Sequence, residues 1–162
     1  MSILDTIRED DREVKGEPVY GVVPAVVTNN KDPEGWGRVK IEIPWLIEGE
    51  TGWVQVVTLM SGSQRGSFFL PEVGDNVLVA FEHGDINSPY VIGSLWNGKD
   101  KPPETNKDGQ NNIRKFKSRS GHEFVFDDTD QKEKVEIKTN AKHKIILDDA
   151  RGKEKIEIRD KA

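Results

Sequence analysis

The chain has 162 residues, enough for one ordinary domain or a small domain with an appendage. Charged residues make up 33% and hydrophobic ones only 34%, a thin core that suits an elongated, assembly-dependent shape better than a lone globule. Cysteine is absent, which excludes a disulfide framework and thiolate metal sites, and the net charge of −5 weighs against nucleic acid as the main partner. Neither a signal peptide nor a long apolar run is present, so the expectation is a chain made and folded in the cytoplasm.

Residues 1–16 are polar, with Ile3, Leu4 and Ile7 at helical spacing and Ser2 and Asp5 as cap residues; they read as a short helix or arm. Residues 17–97 are patterned as strands. The Val-rich run from Val19 to Val27 contains Pro24, which marks a bend or an edge. Asp32-Pro-Glu-Gly-Trp-Gly37 has turn chemistry, and Arg38 to Ile43 alternates strictly until Pro44 stops it. Thr51 to Val57 follows as a strand with Trp53 as a large core residue, then a polar loop over Met60 to Gly66. The turn Val73-Gly-Asp-Asn76 leads into the apolar strand Val77 to Phe81, the tight turn His83 to Ser88, and a closing strand Tyr90 to Leu95. Five or six short strands separated by turn signals predict a small barrel.

Residues 98–112 contain no apolar side chain and read as an exposed linker and domain boundary. Beyond them, residues 113–162 hold one unit written twice. His122-Glu-Phe-Val-Phe-Asp-Asp128 is answered by His143-Lys-Ile-Ile-Leu-Asp-Asp149, and Lys132-Glu-Lys-Val-Glu-Ile-Lys138 by Lys153-Glu-Lys-Ile-Glu-Ile-Arg159. Period-two alternation makes each copy two short strands, with the Asp-Asp and Lys-Glu-Lys segments as turns. One face collects Phe124, Phe126, Val135, Ile137, Ile145, Leu147, Ile156 and Ile158. Short strands with one oily face do not stand alone in water, and no amphipathic helix follows to cover them. The cover must come from another molecule or from copies of the same chain. Three chains forming an intertwined β-prism is the expectation, with a face-to-face dimer as the alternative.

Three stretches carry a familiar pattern: Trp36-Gly-Arg-Val-Lys-Ile-Glu-Ile-Pro-Trp45, Phe69-Leu-Pro-Glu-Val-Gly-Asp-Asn-Val-Leu-Val-Ala-Phe-Glu-His-Gly-Asp85, and Pro89-Tyr-Val-Ile-Gly-Ser-Leu-Trp-Asn-Gly98. The chain resembles the VgrG and phage baseplate protein V family, the central spike of contractile injection machines. The motif positions are Trp36, Gly37, Arg38, Pro71, Val73, Gly74, Asp75, Phe81, His83, Gly84, Asp85, Gly93, Trp96 and Gly98. What the resemblance implies is all-β: an N-terminal OB-fold barrel, then a short C-terminal triple-stranded β-helix formed in a homotrimer. It also implies a needle pushed through a target cell envelope, a baseplate hub protein, and possible effector cargo. No hub-like domain precedes residue 17, so the hub is expected as a separate chain. The repeat ends without a His-X-His motif, so a PAAR-type tip protein is expected to complete it. The expected place is a tail-like particle: virion, secretion apparatus or released extracellular particle.

No residue pattern points to an enzyme, a cofactor or a metal. No Gly-X-Ser-X-Gly or P-loop occurs, and the linker is too short to hold an inserted lysozyme. His83 reads as a turn residue. His122 and His143 occupy equivalent repeat positions, where a trimer would gather them into rings able to bind an ion, or would leave them facing outward. The Asp127-Asp128 and Asp148-Asp149 pairs read as turn chemistry, without the glycine and closing glutamate of a calcium loop. The alternative function is an OB-fold nucleic-acid binder using Trp36, Trp45, Trp53 and Trp96 for stacking. Scattered acids (Glu42, Glu48, Glu50, Glu72, Asp75, Glu82, Asp85) dilute any basic groove, and the tryptophans read as core. A trimeric structural adaptor is a third reading.

Overall fold

The computed structural model describes residues 17–161; the expected N-terminal helix or arm lies outside them. The chain divides into two compact units between Lys99 and Asp100.

The first unit is a curled sheet of five strands: β1 (Val22–Asn29), β2 (Lys40–Glu42), β3 (Gln55–Val56), β6 (Asn76–Phe81) and β7 (Pro89–Ser94), in the order β2-β1-β6-β7-β3. β4 (Ser61–Gly62) and β5 (Arg65–Gly66) form a separate small hairpin. All pairings in the large sheet are antiparallel except β3 with β7. The two outer edges meet through Val39 and Val54, whose backbones exchange hydrogen bonds of 3.0 and 2.7 Å, so the sheet closes on itself. Register shifts between Val27 and Asn29 and between Leu78 and Val79 supply the bends that closure needs.

Alternation decides what fills this barrel. Val23, Ala25 and Val27 of β1 point inward, as do Val77, Val79 and Phe81 of β6, joined by Val39, Ile41, Ile43, Ile47, Val54, Ile86 and Val91. Most of these are β-branched, the side chains that pack best on a pleated surface. Pro24 stands inside β1 and not at its end. It is tolerated because β2 pairs only with Val26, Val27 and Asn29, leaving β6 as the sole neighbouring strand at Pro24.

Two expectations for this unit fail. The strand expected over Thr51 to Val57 shortens to Gln55–Val56, with only single bridges at Glu50 and Val54. The tryptophans are not core: Trp36 (53%), Trp45 (63%) and Trp96 (66%) are exposed, and Trp53 is half-buried beneath Arg38 and Lys40. The aliphatic side chains already fill the narrow interior, so the indoles are left on its rim.

The second unit is a meander of five antiparallel strands in chain order: β8 (Ile113–Lys117), β9 (Glu123–Asp127), β10 (Lys134–Lys138), β11 (Lys144–Asp148) and β12 (Lys155–Arg159). Each strand pairs fully with the next and no register shift occurs. Its turns are built by short polar side chains. Ser118 and Thr139 each accept the N–H of the histidine four residues on (3.0 and 3.1 Å), one repeat apart. Asp127 and Asp148 each accept the N–H two residues on (both 3.1 Å), which is Asx-turn chemistry.

Candidate assembly surface

The register of the meander sorts its side chains into two faces. On one, Phe116, Phe124, Ile137, Ile145 and Ile158 form a cross-strand row, and Arg114, Phe126, Val135, Leu147 and Ile156 form the next. The eight residues assigned to a trimer core from sequence therefore lie together on one face. Phe116 extends their row and was not assigned; it could have been found by carrying the alternation back through the 118–122 turn. The rings of Phe124 and Phe126 touch at 4.7 Å between centroids. Phe124 and Val135 are half-buried, and the other apolar side chains of the face are exposed. Ile156 and Ile158 are 75% and 79% exposed, whereas Ile41 in the barrel is 0% exposed. Contiguous exposed apolar rows of this kind make this face the candidate contact surface.

The opposite face is charged. Lys117–Glu123 (3.1 Å), Lys134–Asp127 (3.7 Å), Lys144–Glu136 (3.5 Å) and Lys155–Glu157 (3.0 Å) are ion pairs, and Arg159 also meets Glu157. Lys117 holds the Glu123 carboxyl below its ordinary value. For Asp127, burial pushes upward but is outweighed by the Thr129 hydroxyl and N–H and by Lys134, so its carboxyl also lies below the usual range. In the middle of this charged face Ile146 is buried, flanked in its row by Glu136 and Glu157. In these pairs the lysines are partly exposed and the carboxylates largely covered, so the lysines shield the acids of this face while the other stays oily.

The histidines are tied into the turns. His122 Nδ1 accepts the Asn140 N–H at 3.2 Å, and His143 Nδ1 lies 2.5 Å from Asp160 Oδ1. Among the described residues no group of three or more His, Cys, Asp or Glu side chains is placed to hold a metal ion.

Apart from Trp36 and Arg38, which meet, the barrel motif positions are spread over separate turns, strand positions and the core. Asp32 grips the turn ahead of β2. It accepts the backbone N–H groups of Glu34, Trp36 and Arg38 and a two-pronged contact from the Arg38 guanidinium (3.0 and 2.9 Å). Arg38 therefore holds the Asp32 carboxyl far below the usual carboxylate range, although burial pushes the other way. The same guanidinium lies 4.5 Å over the Trp36 ring. The sequence motif marks Trp36, Gly37 and Arg38, whereas Asp32 reads only as the start of a turn, since an aspartate before Pro-X-Gly does not by itself announce the arginine clasp.

Pro71 is buried, and its carbonyl accepts the Asn30 side-chain amide at 3.0 Å. Val73 is exposed. Gly74 donates its N–H to Val27 (2.8 Å), and Asp75 caps its own turn by accepting the Glu72 N–H (2.8 Å). Phe81 is core. His83 stands exposed at a left-handed φ of 51° in the 3₁₀ turn Glu82–Gly84. Gly84 is buried at φ 82°, a conformation that favours glycine, and a Cβ there would lie 3.0 Å from the exposed Tyr20 ring. Asp85 accepts the Asn87 N–H (2.9 Å). Gly93 lies in β7 beside its register shift, and Gly98 has open space around it.

A five-stranded sheet curled around an aliphatic interior, its edges bridged at Val39 and Val54, is an OB-like domain. Residues 23–96 match the family described as the type VI secretion system/phage-baseplate injector OB domain. Residues 23–96 therefore carry the injector OB domain, and the chain's curated matches are VgrG proteins. Among curated relatives, it is 30% identical over 103 residues to the type VI secretion system spike protein VgrG2a of Pseudomonas aeruginosa, covering 58% of this chain and 12% of that protein. It is 35% identical over 75 residues to the spike protein VgrG3 of Vibrio cholerae, covering 43% of this chain and 7% of that protein. It is also 36% identical over 74 residues to the actin cross-linking toxin VgrG1 of Vibrio cholerae, again covering 43% and 7%. The match spans a small part of each relative's length.

Proposed function

We propose that this chain is a structural, non-enzymatic spike segment of a contractile injection machine. It acts as a homotrimer, connecting a hub protein to a tip at the centre of the baseplate. The observation that carries this reading is the pair of apolar rows on the C-terminal meander, attached to an injector OB domain. Burying each such side chain is worth about 1.5–3 kcal/mol, and that gain is realised only when other copies cover the face. Three meanders with their oily faces turned inward make a solid prism. Many backbone hydrogen bonds in it would be loaded together when force arrives along the axis.

The barrel, the linker over residues 98–112 and the needle over residues 113–162 are the working parts in this reading. A separate hub chain, a PAAR-type tip, a cargo effector and the target envelope are its partners, with assembly in the cytoplasm. The activity named for the actin cross-linking toxin is not carried over to this chain. The OB-fold nucleic-acid alternative has less support, because the exposed tryptophans share the barrel surface with its acids.

Light scattering on the purified full chain tests the reading. Three copies per particle are expected, and Ile145→Asp is expected to abolish them by placing three carboxylates in one buried layer. A well-folded wild-type monomer, or an Ile145→Asp variant that stays trimeric, would overturn it.

A further inference from the structure

We infer that the walls of the needle join head to tail, the basic turn edge of one copy lying against the acidic turn edge of the next. This rests on the trimeric reading above and adds a second selector to it, charge along the seams.

The first observation is a conflict within one chain. At the end of the sheet that carries the 118–122 and 139–143 turns, Lys138 stands opposite Lys144, and Lys144 opposite Arg159. Three cations side by side on adjacent strands repel one another, and like charges directly opposite destabilise a sheet. Lys142 and Lys161 add to the same edge. The row at the other end has no such conflict, since Asp127, Lys134, Asp148 and Lys155 alternate in sign from strand to strand. Beyond that row, the 128–133 and 149–154 turns carry Asp128, Asp130, Glu133, Asp149 and Glu154 against Lys132, Arg151 and Lys153; Asp128 already meets Arg114, and the acids still outnumber the cations of these turns. At the first end Glu123 faces Lys138, Glu136 and Glu157 pair with Lys144 and Arg159, and Asp160 meets His143. Yet Lys117, Arg119, Lys138, Lys142, Lys144, Arg159 and Lys161 outnumber the acids there, so the sheet has a net basic edge and a net acidic one.

The second observation is pitch. Both edges repeat with the sequence, once per two strands, about 9.6 Å along the sheet. A basic edge laid beside an acidic edge of another copy stays in step over the whole meander. Symmetry then selects the geometry. A two-fold contact that pairs an edge with itself sets like charge on like. A heterologous contact pairs unlike edges and closes into a ring when the rotation permits. The occupant of the basic edge is therefore a second copy of this chain.

The full chain carries the test, in sedimentation or light scattering over a dilution series. Wild type is expected to be trimeric, with a dissociation midpoint that rises in concentration as salt is added. Lys138→Glu with Lys142→Glu, which reverses the basic edge, is expected to raise that midpoint roughly tenfold or more. Asp130→Lys with Asp149→Lys, reversing the acidic edge, is expected to do the same, and all four changes in one chain to restore it. Neutral Lys138→Gln with Lys142→Gln gives a smaller rise in the same direction and guards against misfolding of the reversed forms. A trimer whose midpoint ignores both salt and these substitutions, or is not restored by the fourfold variant, overturns the seams and leaves the trimer standing. A wild type that is not trimeric overturns both.

Discussion

Asp32 shows how one side chain can hold a loop. Its carboxylate accepts three backbone N–H groups and the Arg38 fork, and the Asp32 side chain is only 3% exposed. Replacing it with asparagine keeps the shape but removes the charge. Hydrogen bonds to a charged group are worth about 1.5–3 kcal/mol, so Asp32→Asn is expected to lower barrel stability by that order in urea unfolding. The pH sign follows from the depressed carboxyl. Its contribution is complete above the ordinary aspartate value of 3.8 and is lost progressively as pH falls below it towards the folded-state value. Wild type should therefore lose stability on acidification in that window, and Asp32→Asn should lose less. Little of this was legible in the sequence, because an aspartate before Pro-X-Gly is ordinary turn chemistry and only the fold brings the Arg38 fork onto it.

At the scale of the element, the period-two pattern was the most legible signal, because a strand has only two faces. It placed Phe124, Phe126, Val135, Ile137, Ile145, Leu147, Ile156 and Ile158 on one side, and the register puts them there. It was less informative in the barrel. There, strand ends are set by bridges at Val39 and Val54 that alternation does not encode, and a small closed interior chooses aliphatic residues over indoles. The row containing Phe116 gives a test of the faces. Phe116→Asp is expected to weaken the proposed trimer, forfeiting roughly 1.5–3 kcal/mol of burial per chain before any charge penalty. Lys115→Gln, one position away on the charged face, should leave assembly within about 0.5 kcal/mol of wild type. Gel filtration over a dilution series would read both, and equal effects from the two would place β8 in the wrong register.

For the whole molecule, the two units are stabilised in different ways, and that difference is measurable. The barrel has its own interior, with Val39, Ile41, Ile43, Val77, Val79 and Val91 each 0% exposed. Its unfolding should be independent of protein concentration. The meander buries little by itself, since Ile146, 9% exposed, is its only buried apolar side chain among the described residues. Its stability must come from association, which strengthens by about 1.4 kcal/mol per association step for each tenfold rise in concentration. Calorimetry across a hundredfold concentration range should therefore resolve two transitions, one fixed and one that climbs with concentration. Ile145→Asp should remove the climbing transition and leave the fixed one in place. One concentration-independent transition for the whole chain would mean that the meander finds its cover without other copies, and the spike reading would lose its physical basis.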